Sequence, residues 1–224
     1  MNEKIRVLGL EIDNLSAKDA TKLVVSYMET EPVSVVEMVT MNTIGCFQQD
    51  EMAKELFEQF DIALASDKGI LEAAGETDEK RLREVDELLF IKMVMRFLHK
   101  NSARVFLLAE NEADMGKLEG YIQKDYSNLQ ILGKATLTEN GASDDMLLNL
   151  VNGAEAECIL SAIPSPIEER FISRNKSLVN AKVWLGLGNL LEELKKEKTS
   201  FQKVKEFILR QLLKKEMAKK GENA

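Results

Sequence analysis

Ser34–Val39 (SVVEMV) runs directly into Thr40, Met41 and Asn42, and that junction sets the reading of the chain. The run is apolar and β-branched, which suits a strand buried on both faces. It stops at small and polar residues where a helix would begin. The same event occurs twice more. Ile62–Ala65 runs into Ser66 and Asp67, and residues 158–163 (CILSAI) run into Pro164, Ser165 and Pro166. In a parallel α/β sheet such strand ends fall on one edge, and ligands bind in the crevice beyond them. Thr40, Asn42, Asp67 and residues 164–169 are therefore expected to line one cleft.

Working outward, strand-like runs are predicted at 5–10, 34–39, 62–65, 104–108, 129–132, 158–163 and 182–185. Helical periodicity fills 17–28, 43–59, 68–74, 86–99, 112–124, 143–151 and 166–174. Ser16, with Asp19 three residues on, is a helix-start signal. Residues 75–84 are polar and are predicted to loop over the cleft. This β-then-α alternation predicts an α/β fold, a Rossmann-like parallel sheet with helices on both faces. After Gly188 the pattern becomes purely helical, over 189–198 and 201–220. The expected organisation is an α/β domain over 1–194 and a basic amphipathic helical appendage over 195–224.

With 224 residues the chain suits one large domain with an appendage. No apolar run approaches the ~18 residues of a transmembrane helix, and the N-terminus leads into a strand without a signal-peptide pattern. A cytoplasmic protein is expected. Cys46 and Cys158 lack metal-ligand spacing, and Cys158 sits in an apolar run as a buried thiol. Net charge is −8, yet residues 195–224 carry a local excess of +6. A basic tail on an acidic body points to an anionic surface. Nucleic acid is disfavoured, because the body would be repelled by it. In the tail, Phe201, Val204, Ile208, Leu212 and Met217 share a helical face, with Lys203, Lys205, Arg210, Lys214 and Lys215 around it. Three roles are open to such a helix: packing on the body, lying on anionic lipid, or pairing in a coiled coil.

Several short motifs bear on chemistry. Gly186-Leu187-Gly188 follows a strand and opens a helix. It matches part of a dinucleotide fingerprint, and equally a tight strand-to-helix turn. His99, the single histidine, ends a helical run, so a histidine-based triad is not expected. There is neither a Walker loop nor an Asp-x-Asp pair for a metal-held sugar nucleotide. Asp67 stands at a strand's carboxyl end, where it serves either as a general base or as the N-cap of the next helix.

The order and spacing of these pieces carry a resemblance. Val7-Leu8-Gly9-Leu10-Glu11-Ile12-Asp13, Thr40-Met41-Asn42, Ala65-Ser66-Asp67 and Arg81-Leu82-Arg83-Glu84-Val85-Asp86 come in that order. They are followed by Arg104-Val105-Phe106-Leu107-Leu108, by Ser165-Pro166-Ile167-Glu168-Glu169-Arg170-Phe171-Ile172, and by Gly186-Leu187-Gly188 with Glu192. The chain resembles the WecG/TagA/CpsF glycosyltransferase family from Ile5 to about Leu194, and more loosely beyond. The resemblance implies a bacterial enzyme of envelope polysaccharide or teichoic acid synthesis. Such an enzyme moves an N-acetylhexosamine, of the N-acetylmannosamine type, from a UDP-sugar donor to a lipid-linked acceptor, GlcNAc on undecaprenyl diphosphate. The transfer inverts the anomeric centre and uses no metal or cofactor.

By the same resemblance Asp67 is the base that deprotonates the acceptor, and Arg81 sits near the acceptor or the diphosphate. Thr40, Asn42 and Glu168 contact sugar, while Leu108, Gly186, Gly188 and Asn189 bound the nucleotide. The basic appendage docks on the anionic inner face of the membrane, and Arg210 meets the leaving diphosphate. A homo-oligomer is compatible with the sequence. The chain departs from the family pattern at Lys68, Ile70 and Glu84, where glycine is usual, and at Ile167 and Glu168. Ala109-Glu110-Asn111-Glu112 replaces a glycine-rich turn, and Ala135-Thr136-Leu137 replaces a Gly-Tyr-Phe stretch. These departures hold open a second reading, a catalytically silent relative that binds a sugar, a lipid intermediate or a protein partner.

Overall fold

The computed structural model describes residues 3–137, 143–188 and 190. The chain opens with a hairpin of β1 (Lys4–Val7) and β2 (Leu10–Asp13). A single strand was expected at 5–10. The turn residues Leu8 and Gly9 both have positive φ, 51° and 80°, the geometry of a tight two-residue hairpin. The strand therefore folds back on itself, with Val7 opposite Leu10. The hairpin leans on the edge of the main sheet, where the Asp13 carboxylate accepts the backbone N–H of Ala63 at 3.0 Å.

The main sheet contains β3 (Ser34–Val39), β4 (Ile62–Ala65), β5 (Arg104–Ala109), β6 (Gln130–Thr136), β7 (Cys158–Ala162) and β8 (Val183–Gly186). The strands are all parallel, in the order β4-β3-β8-β7-β5-β6. The last strand among the described residues is thus inserted at the centre, between β3 and β7. Its neighbours are set residue by residue: Gly186 lies opposite Glu37 on one side and Ser161 on the other.

One face of the sheet is covered by α1 (Ala17–Tyr27), α6 (Leu89–Lys100) and α7 (Glu112–Asp125). Ala20, Val24, Ile91, Met95, Leu118 and Ile122 meet Val36, Met38, Leu107, Leu160 and Leu185 there. The other face carries α2 (Met41–Phe47), α3 (Glu51–Phe57), α4 (Lys68–Ala73), α8 (Asp144–Gly153) and α9 (Ile167–Asn175). Phe47, Phe57 and Ile70 pack on Val39 and Ala63, and Leu148, Val151 and Phe171 pack on Val35, Ile159 and Trp184. This is the two-faced parallel architecture that the alternation predicts.

Two helical expectations change. The helix expected at 43–59 is broken into α2 and α3, because Asp50 leaves the helix and caps the next one, accepting from the Ala53 N–H at 3.0 Å. The polar stretch expected as a loop at 75–84 contributes most of a helix, α5 (Glu79–Asp86), started by Asp78 accepting from the Lys80 N–H at 2.9 Å. Leu88, with φ of 51°, turns the chain from α5 into α6. Cys158 is buried and Cys46 partly so, and both are free thiols.

Candidate active site

The site forms where β3, β4, β7 and β8 end on one edge. Val39 pairs with Ala65, and Ser66 continues the contact, with both its N–H and its hydroxyl donating to the Val39 carbonyl at 2.9 Å. This clasp brings Thr40 and Asp67 to neighbouring positions just past the sheet. Each opens a helix. Thr40 caps α2 in a reciprocal box with Thr43, accepting from the Thr43 N–H at 3.1 Å while the Thr43 hydroxyl accepts from the Thr40 N–H at 3.3 Å. Asp67 caps α4 and accepts from the Gly69 N–H at 2.5 Å. The Thr40 hydroxyl is buried, the Asp67 carboxylate half-buried and Asn42 exposed. Lys68, beside Asp67, forms an ion pair with Asp86 at 3.2 Å.

Arg81 reaches the same edge from α5. Its guanidinium pairs with Glu84 at 3.5 Å and its Nε donates to Asn14 at 3.4 Å. Glu84 in turn accepts the Ala17 N–H at 3.0 Å, which ties α5 to the start of α1. Burial works against the Arg81 charge, and Glu84 and Glu76 work for it. Leu64, Ala65, Leu15 and Leu88 line a small apolar cavity beside the pair.

A second group of residues lies under the centre of the edge. Glu37 on β3 and Glu168 on α9 are both buried, and both approach Gly186. Glu37 places its carboxyl where a side chain at 186 would begin, and Glu168 Oε2 lies 3.0 Å from that point. Glu168 accepts from the Trp184 Nε1–H at 2.7 Å and from the Ser161 hydroxyl. Burial pushes Glu168 up to about 8. Burial first, and the neighbouring Glu168 and Glu169 next, push Glu37 well above the carboxylate range. Glu169 follows on α9 with Oε1 accepting from the Ser165 hydroxyl at 2.7 Å.

Glu37 is the residue that sequence reasoning missed. Its signal is present: one acid inside the apolar run SVVEMV. Glu168 lies in the interior, 1% exposed, rather than at the cleft surface where a sugar contact was expected. Leu108 is also fully buried, its side chain among Val35, Phe106 and Ile159. Gly186 and Gly188 sit at the end of β8, with Gly188 at φ of 45°. Asn189, Arg210 and the appendage at 195–224 lie outside the described residues. Among the described residues, no group of three His, Cys, Asp or Glu side chains is placed to hold a metal ion, and no helix is long and apolar enough to cross a membrane.

The family model described as "Glycosyl transferase WecG/TagA/CpsF family" matches residues 5–199, which includes all six strands of the main sheet and the whole edge described above. The chain belongs to the WecG/TagA/CpsF glycosyltransferase family. No individual curated protein matches it. Membership in the WecG/TagA/CpsF family implies glycosyl transfer in cell-envelope polysaccharide synthesis, from a sugar donor to a lipid-linked acceptor in general terms.

Proposed function

We propose that this protein transfers an N-acetylhexosamine of the N-acetylmannosamine type from UDP to GlcNAc carried on undecaprenyl diphosphate. The observation that supports this reading is the placement of Thr40 and Asp67 just past the joined ends of β3 and β4. A carboxylate at the mouth of a cleft is placed to act as a general base. Asp67 takes the proton of the acceptor hydroxyl as that oxygen attacks the anomeric carbon. The new C–O bond forms on the face opposite the departing UDP, which leaves with the electrons of the old bond, so the anomeric centre inverts. Asn42, exposed at the start of α2, orients sugar hydroxyls, and Thr40, buried and committed to the α2 cap rather than free for a sugar, holds that turn in place. Arg81, and Arg210 from the tail, neutralise the leaving diphosphate, since guanidinium groups bind phosphate bidentately. The basic segment 195–224 holds the enzyme to the anionic inner face of the membrane, near its lipid-linked acceptor.

The second reading, a silent family member that keeps the fold for binding, is favoured by one observation. Arg81 is already neutralised within the chain by Glu84. Calorimetry with UDP and UDP-N-acetylhexosamines, on the wild type and on Asp67→Asn, separates the two. Micromolar binding that survives the substitution, together with loss of UDP release in the presence of acceptor, supports the transferase. No binding at millimolar UDP removes it.

A further inference from the structure

We propose that Glu37 and Glu168 form a proton-sharing carboxyl pair that fastens α9 to the central strands, and that this fastening weakens as the medium becomes alkaline. The packing beneath the Gly186-Leu187-Gly188 turn is thereby a pH-sensitive element of the fold. The inference is independent of whether the protein transfers sugar.

The geometry comes from three strands and one helix. β3 supplies Glu37, β7 supplies Ser161, β8 supplies Trp184 and the open space of Gly186, and α9 supplies Glu168. The absence of a side chain at 186 is what admits both carboxyls to one place. Both carboxyls converge on the space over Gly186, with Glu37 Oε2 on the point where a β-carbon would stand and Glu168 Oε2 3.0 Å from it. Two bare carboxylates that close in a buried site repel strongly, so the pair holds a proton. Their surroundings say where it resides. Glu168 accepts from the Trp184 indole and the Ser161 hydroxyl, which makes it the more readily ionised of the two even though burial raises it. Glu37 Oε2 is buried and receives no donor, a setting that favours the neutral acid as donor. A carboxylic acid held neutral in an apolar site so that it can donate is a known use of such burial.

The other titratable group facing the pair is Glu169, also on α9. Glu169 is itself influenced by Asp50 and Arg170 on the solvent side. Among the described residues, no cation figures among the groups acting on Glu37 or Glu168. Loss of the shared proton therefore leaves two buried anions side by side, with no cation among the described residues to offset their repulsion. The unfolded chain releases these protons in the ordinary carboxylate range, and the folded chain releases them later. Between the two, the folded state binds more protons, so stability falls as pH rises. It is greatest below the ordinary carboxylate range, and the loss is complete once the pH has passed the raised values of the pair.

The test uses the full chain. Urea unfolding and hydrogen exchange of α9 are followed from pH 5 to pH 9 for the wild type, Glu168→Gln, Glu37→Gln and the double variant. The wild-type folding constant is expected to fall by up to tenfold per pH unit for each proton retained, with α9 exchange rising in step. Each glutamine is expected to reduce both trends, because one buried carboxyl remains to titrate, and the double variant Glu37→Gln with Glu168→Gln is expected to flatten them. A flat wild-type profile, or the wild-type slope retained in the double variant, overturns the proposal. Should any variant fail to fold, carboxyl-carbon NMR on wild type labelled at glutamate decides. A glutamate resonance titrating far above the others supports the pair, and its absence overturns it.

Discussion

Arg81 and Glu84 face each other at 3.5 Å across one turn of α5, and the same Glu84 carboxylate accepts the Ala17 N–H at the start of α1. One side chain thus does two things. It supplies an acceptor for a helix N-terminus, and it neutralises the arginine assigned to the diphosphate. The two effects separate by substitution. Glu84→Gln keeps an oxygen for Ala17 and removes the charge, so UDP affinity measured by calorimetry is expected to rise with little change in urea midpoint. Glu84→Ala also removes the acceptor and is expected to cost about 1 kcal/mol of stability. Unchanged UDP affinity in both variants would show that the ion pair does not restrain Arg81.

Asp67 has a structural task as well as its proposed chemical one, since it caps α4. Asparagine caps a helix about as well as aspartate, so Asp67→Asn is expected to leave stability within ~0.5 kcal/mol of wild type. As the proposed general base, its loss is expected to lower turnover by roughly 10²–10⁴-fold. A substitution that leaves UDP release intact removes Asp67 from the chemistry and leaves it a cap alone.

Gly186 is required by what lies over it. A β-carbon there meets the Glu37 carboxyl and approaches Glu168 Oε2 to 3.0 Å. Gly186→Ala is expected to cost about 1–3 kcal/mol through overpacking. Adding Glu37→Ala to the same chain is expected to recover part of that loss, because the crowding partner is gone. A double-mutant cycle measured by urea unfolding reads the coupling directly, and strict additivity would place the strain elsewhere.

Thr40 is buried with its hydroxyl committed to the α2 cap. Thr40→Val keeps the shape and loses the cap, at an expected cost of about 0.5–2 kcal/mol. Thr40→Ser keeps the hydroxyl and is expected to stay near wild type. If Thr40→Ser retains stability but raises KM for the donor, the methyl group matters to how the α2 turn presents Asn42. If both readouts are unchanged, the hydroxyl alone suffices.

Some elements were legible because their signal is local. β3 and β4 occupy the residues read for them, since each is a short apolar run ended by a capping residue. The start of α1 at Ser16 was readable for the same reason, and its hydroxyl accepts from the Asp19 N–H at 3.1 Å. α5 was hidden by its polarity: in EKRLREVD only Val85 is buried, so its apolar stripe is too narrow to stand out from a loop. The hairpin was hidden by Leu8, a bulky residue in a left-handed turn position that ordinarily takes asparagine or glycine.

What the sequence determined by itself was the parallel α/β class, the edge on which Thr40 and Asp67 stand, and the family motifs in their order. Those follow from runs, caps and spacings of a few residues, where local sterics and hydrogen bonding decide the outcome. Only the tertiary structure brought Glu37 to Glu168. Their meeting depends on β8 entering between β3 and β7 and on a glycine at the crossing point. Strand order is settled by the burial of whole faces against one another, and no local pattern around either glutamate carries that information.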